Sequence, residues 1–190
     1  MALDKLGVPF VLGSGVTSVY GDSDDLPLTE DSPTRPISPY GVTKLAGEHL
    51  VWLYWKGYGL PTVALRYFTV YGPRQRPDMA FRRFLTAGIA GKPISVYGDG
   101  EQSRDFTFSA DAVEGTRLAM MKGEAGAVYN LGGGHRATVN EVIGLMGEIQ
   151  GTPLEVNYES DQMGDVRHTW ADTSLARGAL GFRPQMDLRE

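Results

Sequence analysis

Tyr40-Gly41-Val42-Thr43-Lys44 opens a run whose apolar residues, Val42, Leu45, Leu50, Leu53 and Tyr54, recur at helical spacing until Gly57 and Gly59 close it near Tyr58. Ahead of it stands the strand-like, hydroxyl-rich Phe10-Val11-Leu12-Gly13-Ser14-Gly15-Val16-Thr17-Ser18-Val19-Tyr20, with Val8 to Leu12 as its apolar part. Asp22 to Ser38, rich in Asp, Pro and Ser, reads as a loop. Val63-Ala64-Leu65-Arg66-Tyr67-Phe68 follows the helix as the next strand. Strand, loop, helix, strand is the order of a right-handed crossover in a parallel sheet, so the expected class is α/β.

Tyr40 and Lys44 are four residues apart and therefore share a helix face. A phenol with its ordinary pKa of about 10 is a poor base at neutral pH, but a fixed ammonium beside it favours the phenolate. Such a pair suits proton removal from a sugar or alcohol hydroxyl coupled to hydride loss from the same carbon. The spacing alone equally describes an exposed tyrosine and a solvated lysine on an amphipathic helix, so the neighbouring motifs decide.

Those motifs are Val19-Tyr20-Gly21, Ser38-Pro39-Tyr40, Leu65-Arg66-Tyr67-Phe68-Thr69-Val70-Tyr71-Gly72-Pro73-Arg74-Gln75-Arg76-Pro77, Tyr97-Gly98-Asp99-Gly100-Glu101-Gln102-Ser103-Arg104-Asp105-Phe106, and Gly164-Asp165 followed by Ala171-Asp172. In order and spacing they resemble the extended short-chain dehydrogenases/reductases, specifically the NAD-dependent nucleotide-sugar epimerases and dehydratases, over nearly the whole chain. The resemblance implies the C-terminal half of a Rossmann-type parallel sheet plus a smaller α/β substrate-binding region. Residues 1–72 would be part of the NAD-binding domain and residues 73–190 mainly the nucleotide-sugar-binding region, with 105–135 returning to the Rossmann sheet. It further implies NAD as cofactor, a UDP-sugar as substrate and a homodimer paired through the Tyr40 helix. Such enzymes begin with a strand, a glycine-rich turn and a helix that hold the cofactor's pyrophosphate. No Gly-x-Gly-x-x-Gly or Gly-x-x-Gly-x-x-Gly stands here between a strand and a helix, and Gly132-Gly133-Gly134, after the strand-like Ala127 to Leu131, reads as a loop. The expectation is an incomplete chain that starts inside the helix before the fifth strand of the nucleotide-binding sheet.

The resemblance also assigns roles. Tyr40 would be the base, Lys44 would hold the nicotinamide ribose, and Tyr67 would lie on the cofactor side. The family's Ser or Thr that hydrogen-bonds the reacting sugar oxygen falls at Val16 or Gly15, neither of which has a side-chain donor. Ser14, Thr17 or Ser18 could replace it, and Thr17 is placed in the catalytic set. Arg104 sits at the pyrophosphate position, where a planar guanidinium suits phosphate oxygens. Asp165 matches an acidic position near the nucleoside end, with Arg167 as added charge nearby. Surface salt bridges are the alternative for these charged residues. Val96 and Tyr97 flank the uracil position; the Tyr97 ring could stack on a base, or both could be plain strand residues. Thr69, where galactose-type epimerases usually carry Asn, and Arg76 resemble enzymes acting on UDP-glucuronate, whose carboxylate needs a charge-assisted partner. Arg74 or Arg76 could instead pair with Asp78 as a loop lock.

The implied function is NAD-dependent epimerisation of a UDP-sugar through a 4-keto intermediate, with UDP-glucuronate as substrate. Alternatives are UDP-glucuronate decarboxylation, nucleotide-sugar dehydration, or a non-catalytic UDP-sugar-binding or pairing remnant in which Trp52, Tyr54 and Trp55 extend an apolar patch. Thr17-Ser18 stand where dehydratases of this superfamily usually carry Asp-Glu, which disfavours dehydration.

Composition agrees with an ordinary globular domain: 42% hydrophobic and 22% charged residues. With no cysteine there is no thiol catalysis, and His49, His135 and His168 show no metal-ligand spacing. The net charge of -5 argues against nucleic acid as a partner. No apolar run approaches the ~20 residues a membrane span needs, and the N-terminus has no signal-peptide pattern, so a cytoplasmic location is expected. Further along, Phe81 to Ala90, Ser109 to Met121 and Val139 to Gln150 (Thr138 as N-cap) read as helices, and Ile94 to Tyr97 and Leu154 to Tyr158 as short strands.

Overall fold

Ser38 starts the decisive helix: its Oγ accepts the Gly41 amide at 3.1 Å, and Pro39 takes the first position, where a missing N–H costs nothing. In the computed structural model, which describes residues 10–15, 17–162 and 164–190, this helix, α1, runs Pro39–Tyr58. It stops at Gly59, whose φ of 67° is the left-handed cap that glycine adopts without strain. Gly41 is required for another reason: a Cβ there would fall on the Ser18 carbonyl, so only glycine lets the first turn of α1 lie against the preceding backbone.

Around α1, β1 (Phe10–Gly15) and β2 (Thr62–Tyr67) form the expected crossover pair. Then follow β3 (Val70–Tyr71), α2 (Ala80–Ile89), β4 (Ile94–Tyr97), β5 (Ser103–Phe108), α3 (Ser109–Lys122), β6 (Val128–Leu131), β7 (His135–Thr138), α4 (Val139–Gln150), β8 (Val156–Glu159) and α5 (Ser174–Leu180). β1, β2 and β6 make a parallel sheet in which Gly15 faces Tyr67 and Tyr67 faces Leu131. β4 pairs with β8 in parallel; β5 lies between β3, parallel, and β7, antiparallel.

The strand-like stretch ends sooner than its composition suggests: extended backbone stops at Gly15, and Thr17–Val19 form a 3-10 turn. Val19 and Tyr20 leave that turn to pack with Leu28 and Phe68 in a small core. A second core joins β2 and β6 to α3 and α5 through Leu65, Leu131, Leu118 and Leu180. A third lies under α2, β4, β5 and α4 around Phe84, Val96, Phe106 and Ile143. The Thr138 cap is a full capping box, with Glu141 accepting the Thr138 amide at 2.7 Å.

Arg66, on the central strand β2, is 4% exposed and bonds both carboxylate oxygens of Glu48 on α1, its Nε reaching Oε2 at 2.9 Å. Its Nη1 donates to the Tyr20 hydroxyl at 2.8 Å and to the Glu30 carbonyl at 2.9 Å. Tyr20 in turn donates to Asn130 on β6 at 2.6 Å, and the Asn130 amide donates to the Glu30 carboxylate at 2.7 Å. Burial opposes the charge of Arg66, but the hydrogen bonds with Glu48 and Tyr20 outweigh it and hold its pKa above the ordinary value. Removing one partner of such a pair strands the other charge. Arg66→Met should therefore lower the unfolding free energy by about 3–5 kcal/mol, read by urea denaturation. Arg66→Met combined with Glu48→Leu should recover much of that loss; equal destabilisation in both variants would refute the pairing account.

Candidate active site

One open cavity of about 530 Å³ lies between α2, β4, β5 and the 162–165 segment. Its floor is apolar, with Phe84, Val96, Phe106 and Val142 supplied by the core beneath. Its wall carries Thr69, Arg104 and Asp165, and it extends to Ser38, the residue that caps α1. Tyr40 follows Ser38 by two residues and Lys44 by six, and neither lines the cavity.

β5 aims Arg104 into this space and fixes it. Nη2 donates to Asp165 Oδ1 at 2.6 Å, and Nη1 donates to the carbonyls of Ser103 at 3.0 Å and Arg167 at 3.2 Å. The side chain is only 15% exposed, so a long cation has been made rigid at the cavity wall. The segment that carries Asp165 is itself tied to β5. The Ser103 amide donates to the Arg167 carbonyl at 3.1 Å, the Thr169 amide to the Ser103 carbonyl at 3.0 Å, and Ser103 Oγ lies 2.9 Å from His168 Nδ1. Asp105, next to Arg104 and fully buried, accepts the amides of Gly133 and Gly134 on one oxygen and Ala171 on the other. Burial raises its pKa even against those donors. Asp105 thus locks the glycine loop to the start of the final segment, a role its place in the Ser103-Arg104-Asp105-Phe106 motif did not reveal.

Tyr40 is 51% exposed at the start of α1, and Lys44 Nζ lies 5.2 Å from the centre of its ring. The ammonium sits beside the phenol on one helix face, in cation–π contact. Tyr67 is elsewhere: its hydroxyl shares a 2.7 Å hydrogen bond with Thr116 on α3, its ring packs on the central core, and burial raises its pKa despite that bond. Thr69 and Val96 line the cavity, and the Thr69 carbonyl accepts the Thr107 amide at 2.9 Å. Arg76 does not line it; its side chain is 75% exposed and pairs with Asp78 at 3.3 Å, the loop-lock alternative. Arg167 gives its guanidinium to Asp99 through two bonds, 2.9 and 2.7 Å. Val16 and the side chains of Ser14 and Thr17 lie outside the described part; Ser18, the third hydroxyl candidate, is half-buried in the 3-10 turn and does not line the cavity.

Two cavity groups escaped the sequence reading. Gln102 donates Nε2 to the Tyr97 carbonyl at 2.9 Å, and its buried Oε1 has no hydrogen-bond partner among the described residues. Arg83 on α2 stands 5.8 Å over the exposed Tyr97 ring. Among the described residues no cluster of His, Cys, Asp and Glu could hold a metal, and no helix is long and apolar enough to cross a membrane.

The parallel β1–β2–β6 sheet thus carries a Tyr/Lys pair at the start of its crossover helix, with a cavity that reaches that helix's cap. Residues 1–132 match the NAD dependent epimerase/dehydratase family, and the chain belongs to it. It is 42% identical over 182 residues, 95% of its length, to an uncharacterised UDP-glucose epimerase of Bacillus subtilis. It is 37% identical over 190 residues to a UDP-glucuronate 4-epimerase of Thermodesulfobacterium geofontis. The chain spans 57% and 58% of those two relatives' lengths. The crystal structure of UDP-glucuronic acid 4-epimerase from Bacillus cereus, in complex with UDP-glucuronic acid and NAD, superimposes with a TM-score of 0.91 at 42% identity. That match covers 95% of this chain and 58% of the other.

The Arg167 pair makes a direct test of the site's electrostatics. The hydrogen bond from Arg167 holds the Asp99 pKa well below the carboxylate range, at about 2. Because the folded pKa is depressed, the pair's contribution is present above the ordinary carboxylate pKa and is lost as pH falls toward that value. A carboxyl-carbon NMR titration should find the Asp99 midpoint near it in the native chain and back in the ordinary range in Arg167→Gln. Coincident midpoints would dissolve the pair.

Proposed function

We propose that this chain carries the proton-transfer pair and the nucleotide-sugar seat of an NAD-dependent epimerase acting at C4 of a UDP-sugar, with UDP-glucuronate as substrate. The observation behind this is one cavity lined both by a half-buried guanidinium held in several hydrogen bonds and by the residue that caps the Tyr40 helix. A diphosphate seated on Arg104 leaves its sugar directed along the cavity toward that helix. Gln102 Oε1, buried and without a partner, suits the imide N–H of a uracil ring, and Val96 supplies the apolar wall beside it.

Tyr40 takes the proton from the C4 hydroxyl and later returns it, with the Lys44 ammonium beside its ring on the same helix face. NAD, when bound, supplies reversible hydride acceptance at C4. The half-exposed Tyr40 and Lys44 leave open the face on which a nicotinamide ribose would lie, so these two residues would hold that end of the cofactor. Thr69 offers its hydroxyl to the hexuronate carboxylate. Arg76 joins it only by exchanging the Asp78 carboxylate for the sugar's, a modest cost for an exposed pair.

The test is to incubate the chain with NAD and UDP-glucuronate and follow the sugar's C4 configuration by proton NMR, with UDP binding measured by calorimetry. Conversion that falls at least about a hundredfold in Tyr40→Phe, with UDP affinity retained, supports the proposal. UDP binding without conversion leaves the chain a nucleotide-sugar-binding unit, and absence of both overturns the reading.

A second copy of the chain is the proposed partner of α1. The helix exposes Val42, Leu50, Trp52 and Leu53 at about half of each side chain's area, a stripe that a symmetric helix pair would bury. Trp52→Glu should move the chain to the monomer in sedimentation equilibrium while leaving UDP affinity unchanged. A wild-type chain already monomeric at high concentration excludes the pairing.

A further inference from the structure

We infer that Arg83 is the second guanidinium of the diphosphate seat and the one that carries its net charge. The inference deepens the nucleotide-sugar reading above and rests on it. The charged residues lining the cavity are Asp78, Arg83, Arg104 and Asp165. Arg104 is neutralised by Asp165 at 2.6 Å, and Asp78 by Arg76 at 3.3 Å. Arg83 makes no ion pair among the described residues, so its positive charge is the uncompensated one. A diphosphate diester brings two negative charges. Arg104 alone, already shared with Asp165, meets them poorly; Arg83 supplies the missing cation from the opposite element, α2.

The geometry supports this use. Arg83 precedes the buried Phe84, which anchors α2 in the core, so its stem leaves the helix at the cavity wall. The guanidinium lies over the Tyr97 ring at 5.8 Å, an arrangement that restricts a flexible side chain while leaving its donors at the rim. One face of Tyr97 is thus a platform for Arg83 and is not the surface on which a base stacks. Arg82, its neighbour, bonds through its backbone, the amide to Gln75 Oε1 at 3.2 Å and the carbonyl to the Thr86 hydroxyl at 2.7 Å, and lies outside the cavity lining. The sequence alone, with two adjacent arginines on one helix, does not distinguish them.

The experiment is calorimetric titration of the wild type, Arg83→Gln, Arg83→Lys and Arg83→Met with UDP, uridine and inorganic diphosphate, at two salt concentrations. Circular dichroism melting confirms that each variant folds. The expected result is a loss of about tenfold or more in UDP affinity for Arg83→Gln and Arg83→Met. Uridine affinity should stay unchanged, the salt dependence of UDP binding should flatten, and Arg83→Lys should fall in between. If the wild type binds UDP and Arg83→Gln binds it equally well with the same salt dependence, the role of Arg83 is refuted while the nucleotide reading stands. If uridine and UDP weaken together, Arg83 acts through Tyr97 on the base and not on the diphosphate, which also refutes it. A wild type that binds neither nucleotide nor diphosphate overturns the underlying reading itself.

Discussion

The Arg66–Glu48 pair is the constraint on which the arrangement depends. A planar guanidinium bonded to both oxygens of one carboxylate fixes direction as well as distance. Glu48 lies on α1 and Arg66 on β2, so the pair sets how α1 is rotated against the sheet. Tyr40, Lys44 and Glu48 are spaced at four-residue intervals, so they form one strip of α1. Anchoring Glu48 inward therefore fixes the azimuth of the other two. The remaining donors of Arg66 recruit Tyr20 and the Glu30 carbonyl, and Asn130 closes the circuit from β6. A buried network of this kind contributes little net stability compared with an apolar core of the same shape. Its value here is geometric, because an apolar contact would let the helix roll.

The substrate side uses the opposite strategy. Its apolar floor belongs to the core beneath it, and its charges stand on separate parts of the chain: Asp78 on the loop before α2, Arg83 on α2, Arg104 on β5, and Asp165 on the segment before α5. Charges on different elements hold their mutual distances only if the elements are tied together. Ser103 and Asp105, on either side of Arg104, do that tying: Ser103 binds the 167–169 segment, and Asp105 binds both the glycine loop and Ala171. β5 is thus a hub whose alternate residues serve ligand and scaffold.

That hub explains what could and could not be read from the sequence. α1, α3 and α4 were legible to within a residue or two because each combines apolar periodicity with a recognisable end, such as the Thr138 capping box or the glycine after Gln150. β5 was not legible as a strand, because its buried face is largely polar: Ser103, Asp105 and Thr107 are all hidden from solvent and carry no hydrophobic signal. β7, mostly exposed, and the seven-residue α5 failed for lack of pattern and of length. At the site, Thr69, Val96, Arg104 and Asp165 line one cavity. Tyr67 turns to Thr116 instead, since the last residue of a central strand can point to either layer and only the packing of α3 decides. Arg83 and Gln102 went unread because what marks them, no ion pair for Arg83 and no hydrogen bond at Gln102 Oε1 among the described residues, is a property of three-dimensional neighbours alone.

The two halves of the site differ in rigidity, and the difference suits their tasks. Arg104 and Gln102 are held by backbone carbonyls, so the binding end exists before a ligand arrives and loses little freedom on binding. Tyr40 and Lys44 touch each other across open space at a helix start, anchored only through the helix itself. Their remaining partners must come from whatever covers that face. The face of α1 that carries them is half-exposed, and electrostatic contacts there strengthen wherever water leaves. Position is thus built into the fold in both places: by backbone carbonyls for Arg104 and Gln102, and by the anchored helix for Tyr40 and Lys44.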